Sequence, residues 1–192
     1  MKINEIFYSI QGEGWHAGTA AVFVRFSGCN LRCPFCDTKH QEHTDMTEEQ
    51  IIDEVLKYPA HLVVLTGGEP TLQVTDHLVT ELQSYGRYVA IETNGTRMPN
   101  FVPDWITLSP KFEFFKAGKL RLKVCNELKV VWTGKNDMTK YNDIEARQYY
   151  IQPCDTGNAE ENAKIVAEVV EFVKKNPKWH ISLQTQKILN IR

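Results

Sequence analysis

Residues 28–38 read GCNLRCPFCDT and hold three of the five cysteines of this chain in the spacing C-x3-C-x2-C. Thiolates so close in sequence can converge on one centre, and soft thiolate ligands select zinc, copper(I) or iron–sulfur clusters. A closed structural zinc site needs four ligands, so the cysteines would have to recruit His40 or His43. An iron–sulfur cubane held by three cysteines instead keeps one iron open to a small molecule. The stretch therefore predicts a metal centre with the ligands Cys29, Cys33 and Cys36.

The composition is that of an ordinary soluble globular protein. The 192 residues predict one domain (1–192) with a substantial core, and 42% of them are hydrophobic. A net charge of −2 gives no reason to expect nucleic-acid or membrane binding, and no apolar run approaches the roughly 20 residues that cross a bilayer. The start of the chain lacks an apolar signal region, and the clustered cysteines favour a reducing compartment. We therefore expect a cytoplasmic protein.

Strand-like apolar runs alternate with helical patterns along the chain. The nearly continuous apolar run at 20–26 predicts a strand buried on both faces. The alternation predicts an α/β fold with parallel strands. Because a full eight-fold barrel takes about 250 residues, we expect an incomplete TIM-type barrel of about six parallel strands with few helices. The predicted strands are 20–26, 61–66, 87–92, 104–108, 127–132 and 147–151, with a short last one at 179–183, and the long helices follow a capping box at 47–50, cover 75–85 and follow Asn158.

Polar turns follow several of the predicted strands. Residues 66–70 read TGGEP, and residues 92–96 read ETNGT. Alone, each is typical of a tight turn, but glycines also let the backbone approach a ligand closely. Active sites of parallel α/β folds lie at the carboxyl ends of the strands, so we expect these turns to share a site with the cysteines. Arg25 lies in an otherwise apolar strand and requires a carboxylate partner, either an internal acid or a substrate.

The cysteine spacing, an aromatic Phe35 before the third cysteine and the TGGEP turn together resemble the radical S-adenosylmethionine (SAM) superfamily. Members of that superfamily hold a [4Fe–4S] cluster whose open iron is chelated by SAM. Within it, the chain is similar to the 7-carboxy-7-deazaguanine synthases over nearly its whole length, and IQGEG together with CDT is the specific part. The matching segments are IQGEG (10–14), VRFSGCNLRCPFCDTKH (24–40), TGGEP (66–70), IETNGT (91–96), LSPK (108–111), ELKVV (127–131), QPCD (152–155) and SLQTQKILNIR (182–192).

The resemblance implies a radical SAM carbon–nitrogen lyase of queuosine and 7-deazapurine biosynthesis, a tRNA modification pathway. Such an enzyme converts 6-carboxy-5,6,7,8-tetrahydropterin to 7-carboxy-7-deazaguanine and releases ammonia. The implied cofactors are a [4Fe–4S] cluster, SAM and Mg²⁺, and a radical derived from SAM, rather than a catalytic side chain, performs the chemistry. The implied partners are a small pterin substrate, a second copy of the chain in a homodimer, and an electron donor of the flavodoxin or ferredoxin type.

The resemblance also assigns roles to individual residues. Thr38 would ligate Mg²⁺, a hard cation that prefers oxygen ligands. Arg25 would bind the carboxylate of the substrate. The implied substrate-binding residues are Ile10, Gln11, Gly12, Glu13, Arg25 and Thr66. The implied SAM-binding residues are Phe35, Cys36, Asp37, Gly68, Ser109, Pro110, Lys111, Gln152, Pro153, Cys154 and Asp155.

Two positions and two rival functions remain open. Gln186 stands in QTQK where members of the family often have a histidine, so we assign it no contact, and the reach of Arg192 into the site is left undecided. A glycyl-radical-enzyme activase uses the same cluster on a protein partner, although the QGEG segment counts against it. A non-enzymatic zinc-binding module would need only the cysteines.

Overall fold

A computed structural model describes residues 1–36, 38 and 42–192. Its strands are β1 (Lys2–Ile10), β2 (Ala20–Phe26), β3 (Thr44–Asp45), β4 (Leu62–Gly67), β5 (Tyr88–Thr93), β6 (Trp105–Leu108), β7 (Val124–Trp132), β8 (Glu145–Pro153) and β9 (Trp179–Ile181). In this part of the chain the strands form one sheet in the order β3-β1-β2-β4-β5-β6-β7-β8-β9. All neighbours from β2 to β9 are parallel, whereas β1 and β3 are antiparallel additions at one edge.

The parallel, open sheet confirms the predicted α/β fold with a partial barrel. Each strand predicted from the sequence is present, and the last short one continues the parallel order beside β8. The antiparallel strand β1 was not predicted. Its apolar and polar residues are mixed, with only Ile3 and Phe7 buried among its nine residues, and its pairing with β2 is what makes it a strand.

Three helices lie on the outer side of the sheet, as their apolar faces require: α1 (Glu48–Leu56), α2 (Asp76–Ser84) and α3 (Ala159–Lys175). The short α4 (Thr185–Ile188) lies instead at the cavity. The predicted capping box is present, because the Thr47 side chain accepts from the Gln50 N–H and the Gln50 side chain accepts from the Thr47 N–H. Asn158 caps α3 by accepting from the Glu161 N–H. Helix α4 was not predicted, since its four residues show no periodicity.

Alternation along the strands sends one set of side chains to the helices and the other into the barrel. On β2, Val22 and Val24 belong to the outer core beside α1 and α2, whereas Phe23 packs with Phe7 in an inner cluster. Arg25 follows Phe23 by two residues and therefore shares its inner face. The same alternation on β7 places Leu128 and Val130 in the outer core beside α3, which leaves Glu127 and Lys129 on the inner face.

Two parts of the chain shape the mouth of the barrel. The connections on either side of β6 carry only a 3-10 turn, Lys116–Gly118, within 94–123. After β9 the chain crosses back to the first strand, because the Thr185 N–H donates to the Gly12 carbonyl at 3.2 Å and the Ser9 hydroxyl donates to the Arg192 carbonyl at 2.6 Å. None of the helices in the described part is both long and apolar enough to span a bilayer.

Candidate active site

A cavity of about 270 Å³ opens at the carboxyl ends of the parallel strands. Its wall includes residues from the ends of β4, β5 and β8 and from the cysteine loop after β2. This is the location expected for the active site of a parallel α/β fold. The predicted site residues that line it are Ile10, Gln11, Gly12, Glu13, Arg25, Cys29, Cys33, Phe35, Cys36, Thr38, Thr66, Gly68, Ser109, Lys111 and Gln152.

The three clustered cysteines form one wall of the cavity and are not bonded to one another. Cys29 and Cys33 are half-buried, and Cys36 is exposed. Burial, reinforced by the neighbouring thiols, raises the pKa of the Cys29 and Cys33 thiols. A bound cation would offset this effect, because the thiolate is the form that ligates metals. Among the described residues, no three His, Cys, Asp or Glu side chains converge as for a single ion, and the cysteines share a cavity wall instead.

The glycines of TGGEP let the turn after β4 pack directly against the cysteine loop. A Cβ on Gly68 would lie 1.8 Å from the Gly28 carbonyl oxygen, and Gly67 has a φ of +113°, which disfavours any other residue. The Glu69 N–H then donates to that same Gly28 carbonyl at 3.0 Å. The turn and the cysteine loop therefore hold each other in place through their backbones.

The acidic residue of that turn is used inside the protein. Glu69 is fully buried and does not line the cavity. Its carboxylate accepts from the N–H and hydroxyl of Thr71, from the Thr93 hydroxyl at 2.7 Å and from the Asn94 N–H at 2.8 Å. Glu69 thus ties the end of β4 to the end of β5, and what the turn offers to the cavity is Gly67 and Gly68.

A buried ion cluster forms the opposite wall of the cavity. The Lys129 Nζ lies 2.6 Å from Glu13 and 3.6 Å from Glu92, and only 6% of its side chain is exposed. Burial alone would raise the pKa of Glu13, but the charge and hydrogen bond of Lys129, with the amides of Gln184 and Gln186, lower it to about 2. Burial would lower the pKa of Lys129, yet the charges of Glu13 and Glu92 raise it above its usual value. Glu13 and Lys129 are therefore both ionised at neutral pH.

Two neutral side chains complete the hydrogen bonding of Glu92. Gln11 Nε2 donates to Oε1 at 3.1 Å, and the Thr66 hydroxyl donates to Oε2 at 3.0 Å. The Gln11 Oε1 in turn accepts from the Glu13 N–H at 3.2 Å. The QGEG segment is thereby attached to the ends of β4, β5 and β7, and its polar atoms converge on the cavity.

Gln186 presents an unsatisfied acceptor at this wall. Its Nε2 donates to Glu13 Oε1 at 3.1 Å, and a carboxylate oxygen can only accept, so the orientation of the amide is fixed. The Gln186 Oε1 is then buried with no donor among the described residues. A Cβ on Gly12 would lie 1.8 Å from that oxygen, which explains the glycine there.

Arg25 reaches the cavity with an internal carboxylate already beside it. Its Nε lies 2.9 Å from Glu5 Oε1, which is the internal partner that the sequence left as one of two alternatives. Its Nη1 donates to the Thr38 hydroxyl at 3.2 Å. Arg192 also pairs with Glu5, and the two guanidinium groups lie 5.7 Å and 5.3 Å from the Phe7 ring centroid. Two cations therefore share one acid, which leaves positive charge for an anionic ligand.

Lys111 is a buried cation on the cysteine side of the cavity. Its Nζ donates to the Ser109 carbonyl at 2.9 Å and to the Ser109 hydroxyl at 2.5 Å. Burial lowers the pKa of Lys111 to about 8. Pro110, between these two residues, is buried and does not line the cavity. The LSPK segment therefore contributes Ser109 and Lys111 to the site, with Pro110 as support.

The QPCD segment lies around a smaller cavity of about 60 Å³, next to the main one and sharing Phe35 and Gln152 with it. Pro153, Cys154 and Asp155 line this smaller space. The Asp155 carboxylate accepts from Lys187 of α4 at 2.6 Å, which, with hydrogen bonds from Gly157 and Asn162, lowers the pKa of Asp155 below its usual range. The predicted SAM residue Asp37 lies outside the described residues.

Several cavity residues were not assigned from the sequence. Glu92 and Lys129 are charges inside apolar strands, the same signal that singled out Arg25, and applying that criterion to β5 and β7 would have found them. Arg192, whose reach was undecided, lines the cavity, as does Gln186. Glu5 could not have been found in this way, because it lies on the strand that was not predicted.

Comparison with known proteins identifies the family of this chain. Residues 23–109 match the model of the radical SAM superfamily. A 7-carboxy-7-deazaguanine synthase of Bacteroides thetaiotaomicron is 50% identical over 192 residues, covering 100% of this chain and 98% of the relative. One of Haemophilus influenzae is 35% identical over 99% of this chain and 93% of its own length. The crystal structure of QueE from Escherichia coli superposes with a TM-score of 0.78 at 26% identity, covering 95% of this chain and 92% of that one. The chain therefore belongs to the 7-carboxy-7-deazaguanine synthase family of the radical SAM superfamily.

Proposed function

We propose that this protein converts 6-carboxy-5,6,7,8-tetrahydropterin to 7-carboxy-7-deazaguanine with release of ammonia, as a carbon–nitrogen lyase of deazapurine biosynthesis. One observation carries the proposal. A single cavity is lined by the three cysteine thiols on one wall and by the Glu13–Lys129–Glu92 cluster, with Arg25, on another. A glycyl-radical-enzyme activase needs the cysteine wall, but its chemistry does not require the wall formed by the ion cluster and Arg25.

The cysteine wall fits an iron–sulfur cluster. Three cysteine thiols line one cavity, and burial raises the pKa of Cys29 and Cys33, so a bound cation would favour their thiolates. A [4Fe–4S] cluster with SAM supplies the one-electron chemistry that starts the reaction. The protein contributes orientation, charge placement and exclusion of water. Beside the cysteines, we assign SAM to Phe35, Cys36, Asp37, Gly68, Ser109, Pro110, Lys111, Gln152, Pro153, Cys154 and Asp155.

The opposite wall fits a carboxylated pterin. Arg25 and Arg192 present two guanidinium groups to one internal acid, so a substrate carboxylate can bind Arg25 as a charge-assisted pair. A pterin ring carries N–H donors, and the Glu92 carboxylate is an acceptor at the cavity. Ile10, Gln11, Gly12, Glu13 and Thr66 complete the substrate wall.

Thr38 is our proposed Mg²⁺ ligand. Its hydroxyl lies at the cavity wall beside Arg25. Mg²⁺ retains several waters and takes few protein ligands, so one hydroxyl with substrate oxygens suffices. Thr38 would hold the ion near the substrate, where Mg²⁺ would supply positive charge to the substrate oxygens.

The remaining assignments concern the protein as a whole. We propose one domain, a cytoplasmic location, a homodimer and a flavodoxin- or ferredoxin-type electron donor. Two observations support association of two copies. Apolar side chains such as Trp15 and Val102 are exposed, and an open sheet has edge strands that a second copy would cover.

The function is tested by anaerobic reconstitution followed by incubation with SAM, a chemical reductant, Mg²⁺ and the carboxytetrahydropterin. We expect a brown protein that forms the deazaguanine product. Cys33→Ala should abolish the brown colour and product formation. Cys125→Ala changes a buried thiol outside the cavity and should retain the colour and the activity. A colourless protein with one zinc would refute the cluster. SAM cleavage without product, together with modification of a glycyl-radical enzyme, would support the activase instead.

A further inference from the structure

A bulge in β1 changes which of its side chains face the inside of the barrel. Ile3 and Ile6 both pack in or against the outer core, although residues three apart on a regular strand lie on opposite faces. The pairing of β1 with β2 shifts register between Ile3 and Glu5, which marks the bulge. A bulge re-aims the side chains beside it and is frequent next to active sites. Glu5 thereby shares the inner face with Phe7.

The inward side chains of β1 after the bulge contact two arginines. Glu5 stands opposite Arg25 in the pairing of β1 with β2, and its Oε1 accepts from Arg25 Nε at 2.9 Å. Its Oε2 accepts from Arg192. The Phe7 ring lies within 6 Å of both guanidinium groups, and the Ser9 hydroxyl donates to the Arg192 carbonyl at 2.6 Å. One face of β1 is therefore devoted to holding these two side chains.

Glu5 fixes one of the two arginines more firmly than the other. Two guanidinium groups beside one ring repel each other unless an anion lies between them, and Glu5 supplies that charge. The side chains of Glu5 and Arg25 are 24% and 25% exposed, so solvent screens this pair only in part. The Arg192 side chain is 69% exposed. Arg25 is therefore the residue whose orientation depends most on Glu5.

The ion pair decides which N–H groups of Arg25 are offered to the cavity. A guanidinium carries five N–H donors in one rigid plane. Glu5 accepts from the Nε donor, and the Thr38 hydroxyl accepts from Nη1 at 3.2 Å. The other N–H groups of Arg25, which have no partner in the described part of the chain, lie at the end of the side chain. A carboxylate that enters the cavity therefore meets donors that are already oriented.

We propose that Glu5 is a positioning residue for the substrate, because its bond to Arg25 Nε holds the terminal N–H groups of that guanidinium ready for the substrate carboxylate. This inference rests on the proposed function, in which Arg25 binds a carboxylated pterin. Glu5 does not line the cavity, so it acts through Arg25 rather than on the substrate. A guanidinium without this bond would have to be ordered during binding, and affinity would fall by that cost.

The test is a double-mutant cycle between Glu5 and Arg25, read as the KM of the reconstituted protein for the carboxytetrahydropterin. Glu5→Ala should raise KM about tenfold, because a hydrogen bond to a charged group is lost. The value of kcat should change little, since Arg25 binds the carboxylate in the ground state and the transition state alike. In the Arg25→Met background, Glu5→Ala should change KM less than about twofold, because no guanidinium remains to be positioned.

A ligand without the carboxylate supplies a second readout. Inhibition by 5,6,7,8-tetrahydropterin should be equal in wild type and Glu5→Ala, because this molecule has no carboxylate for Arg25. The matched control is Glu48→Ala on α1. The Glu48 side chain is 23% exposed and also binds two partners, Thr75 and His77, but it lies outside the cavity. Glu48→Ala should leave the KM for the carboxytetrahydropterin unchanged.

A milder variant keeps the test decisive if Glu5→Ala folds poorly. Glu5→Gln retains an acceptor oxygen for Arg25, so its rise in KM should be smaller but should again depend on Arg25. An unchanged KM in Glu5→Ala, an equal rise in the Arg25→Met background, or an equal loss of tetrahydropterin binding would overturn the positioning role. Absence of product from the wild-type protein would instead overturn the proposed function.

Discussion

Lys129→Met removes the charge at the centre of the buried ion cluster while keeping a side chain of similar length. Glu13 would retain the amide donors of Gln184 and Gln186, at 3.0 Å and 3.1 Å, and Glu92 would retain those of Gln11 and Thr66. Among the described residues, neither carboxylate would retain a cation within ion-pair distance, and only the more distant charge of Lys111 would still act on Glu13. The variant therefore leaves two partly buried acids side by side with only neutral hydrogen-bond donors in contact.

The expected loss follows from the burial of the groups. Removing one partner of a fully buried ion pair costs about 3–5 kcal/mol. Here the side chains of Lys129, Glu13 and Glu92 are 6%, 15% and 26% exposed, and amide donors remain, so we expect about 2–4 kcal/mol of unfolding free energy to be lost. For a protein of this size, a loss of about 3 kcal/mol lowers the melting temperature by about 6–12 °C.

The measurement is urea unfolding of the cluster-free protein, in a double-mutant cycle with Glu13→Gln. Because the double variant removes both charges, it should recover part of the stability lost in Lys129→Met. The pKa of Glu13 is lowered from 4.5 to about 2, so its contribution is present above pH 4.5 and disappears as the pH falls through about 2. The difference between wild type and Lys129→Met should therefore narrow with acidification over that range. A loss below about 1 kcal/mol, or strict additivity in the double variant, would refute this reasoning.

Gly68→Ala should lower the iron content after reconstitution, because its Cβ would lie 1.8 Å from the Gly28 carbonyl; full iron loading would show that the turn and the cysteine loop are not interlocked. Glu69→Gln should cost about 2–3 kcal/mol in urea unfolding, since its amide would point N–H groups at donors that now face a carboxylate; a neutral effect would contradict its structural role. Asn158→Ala should cost about 1 kcal/mol through loss of the α3 cap, with product formation unchanged; lost activity would instead implicate α3 in the site.

The fold was predictable where strands are continuous apolar runs. Parallel strands buried on both faces carry that signal without help from tertiary contacts, and 20–26 matches the bounds of β2 residue for residue. Strand β1 was missed because its pattern is mixed and its pairing partner lies more than ten residues further along. Helix α4 was missed because four residues, held by Gly12 through Thr185, need no amphipathic repeat.

The sequence predicted which turns line the site, but it did not predict the ion pairs and hydrogen bonds between their side chains. Position at strand ends sufficed to gather the cysteines and TGGEP around one cavity, whereas QGEG was assigned to the site through the family resemblance. The ion cluster joins Glu13, Glu92 and Lys129 from distant parts of the chain, and only the inward face of β5 and β7 brings them together. The burial of the Glu69 side chain was also not predictable from the sequence, because it depends on the positions of the Thr93 hydroxyl and the Asn94 N–H.

The most direct test of the account is simultaneous quantification of product, ammonia and SAM in one anaerobic reaction of the reconstituted protein with 6-carboxy-5,6,7,8-tetrahydropterin. Because SAM serves as a cofactor in the proposed reaction, we expect ammonia and 7-carboxy-7-deazaguanine in equal amounts with SAM largely conserved, and no product from the Cys33→Ala variant. Consumption of SAM without ammonia or deazaguanine would contradict the claim that the cysteine wall and the pterin wall of this cavity act on one substrate.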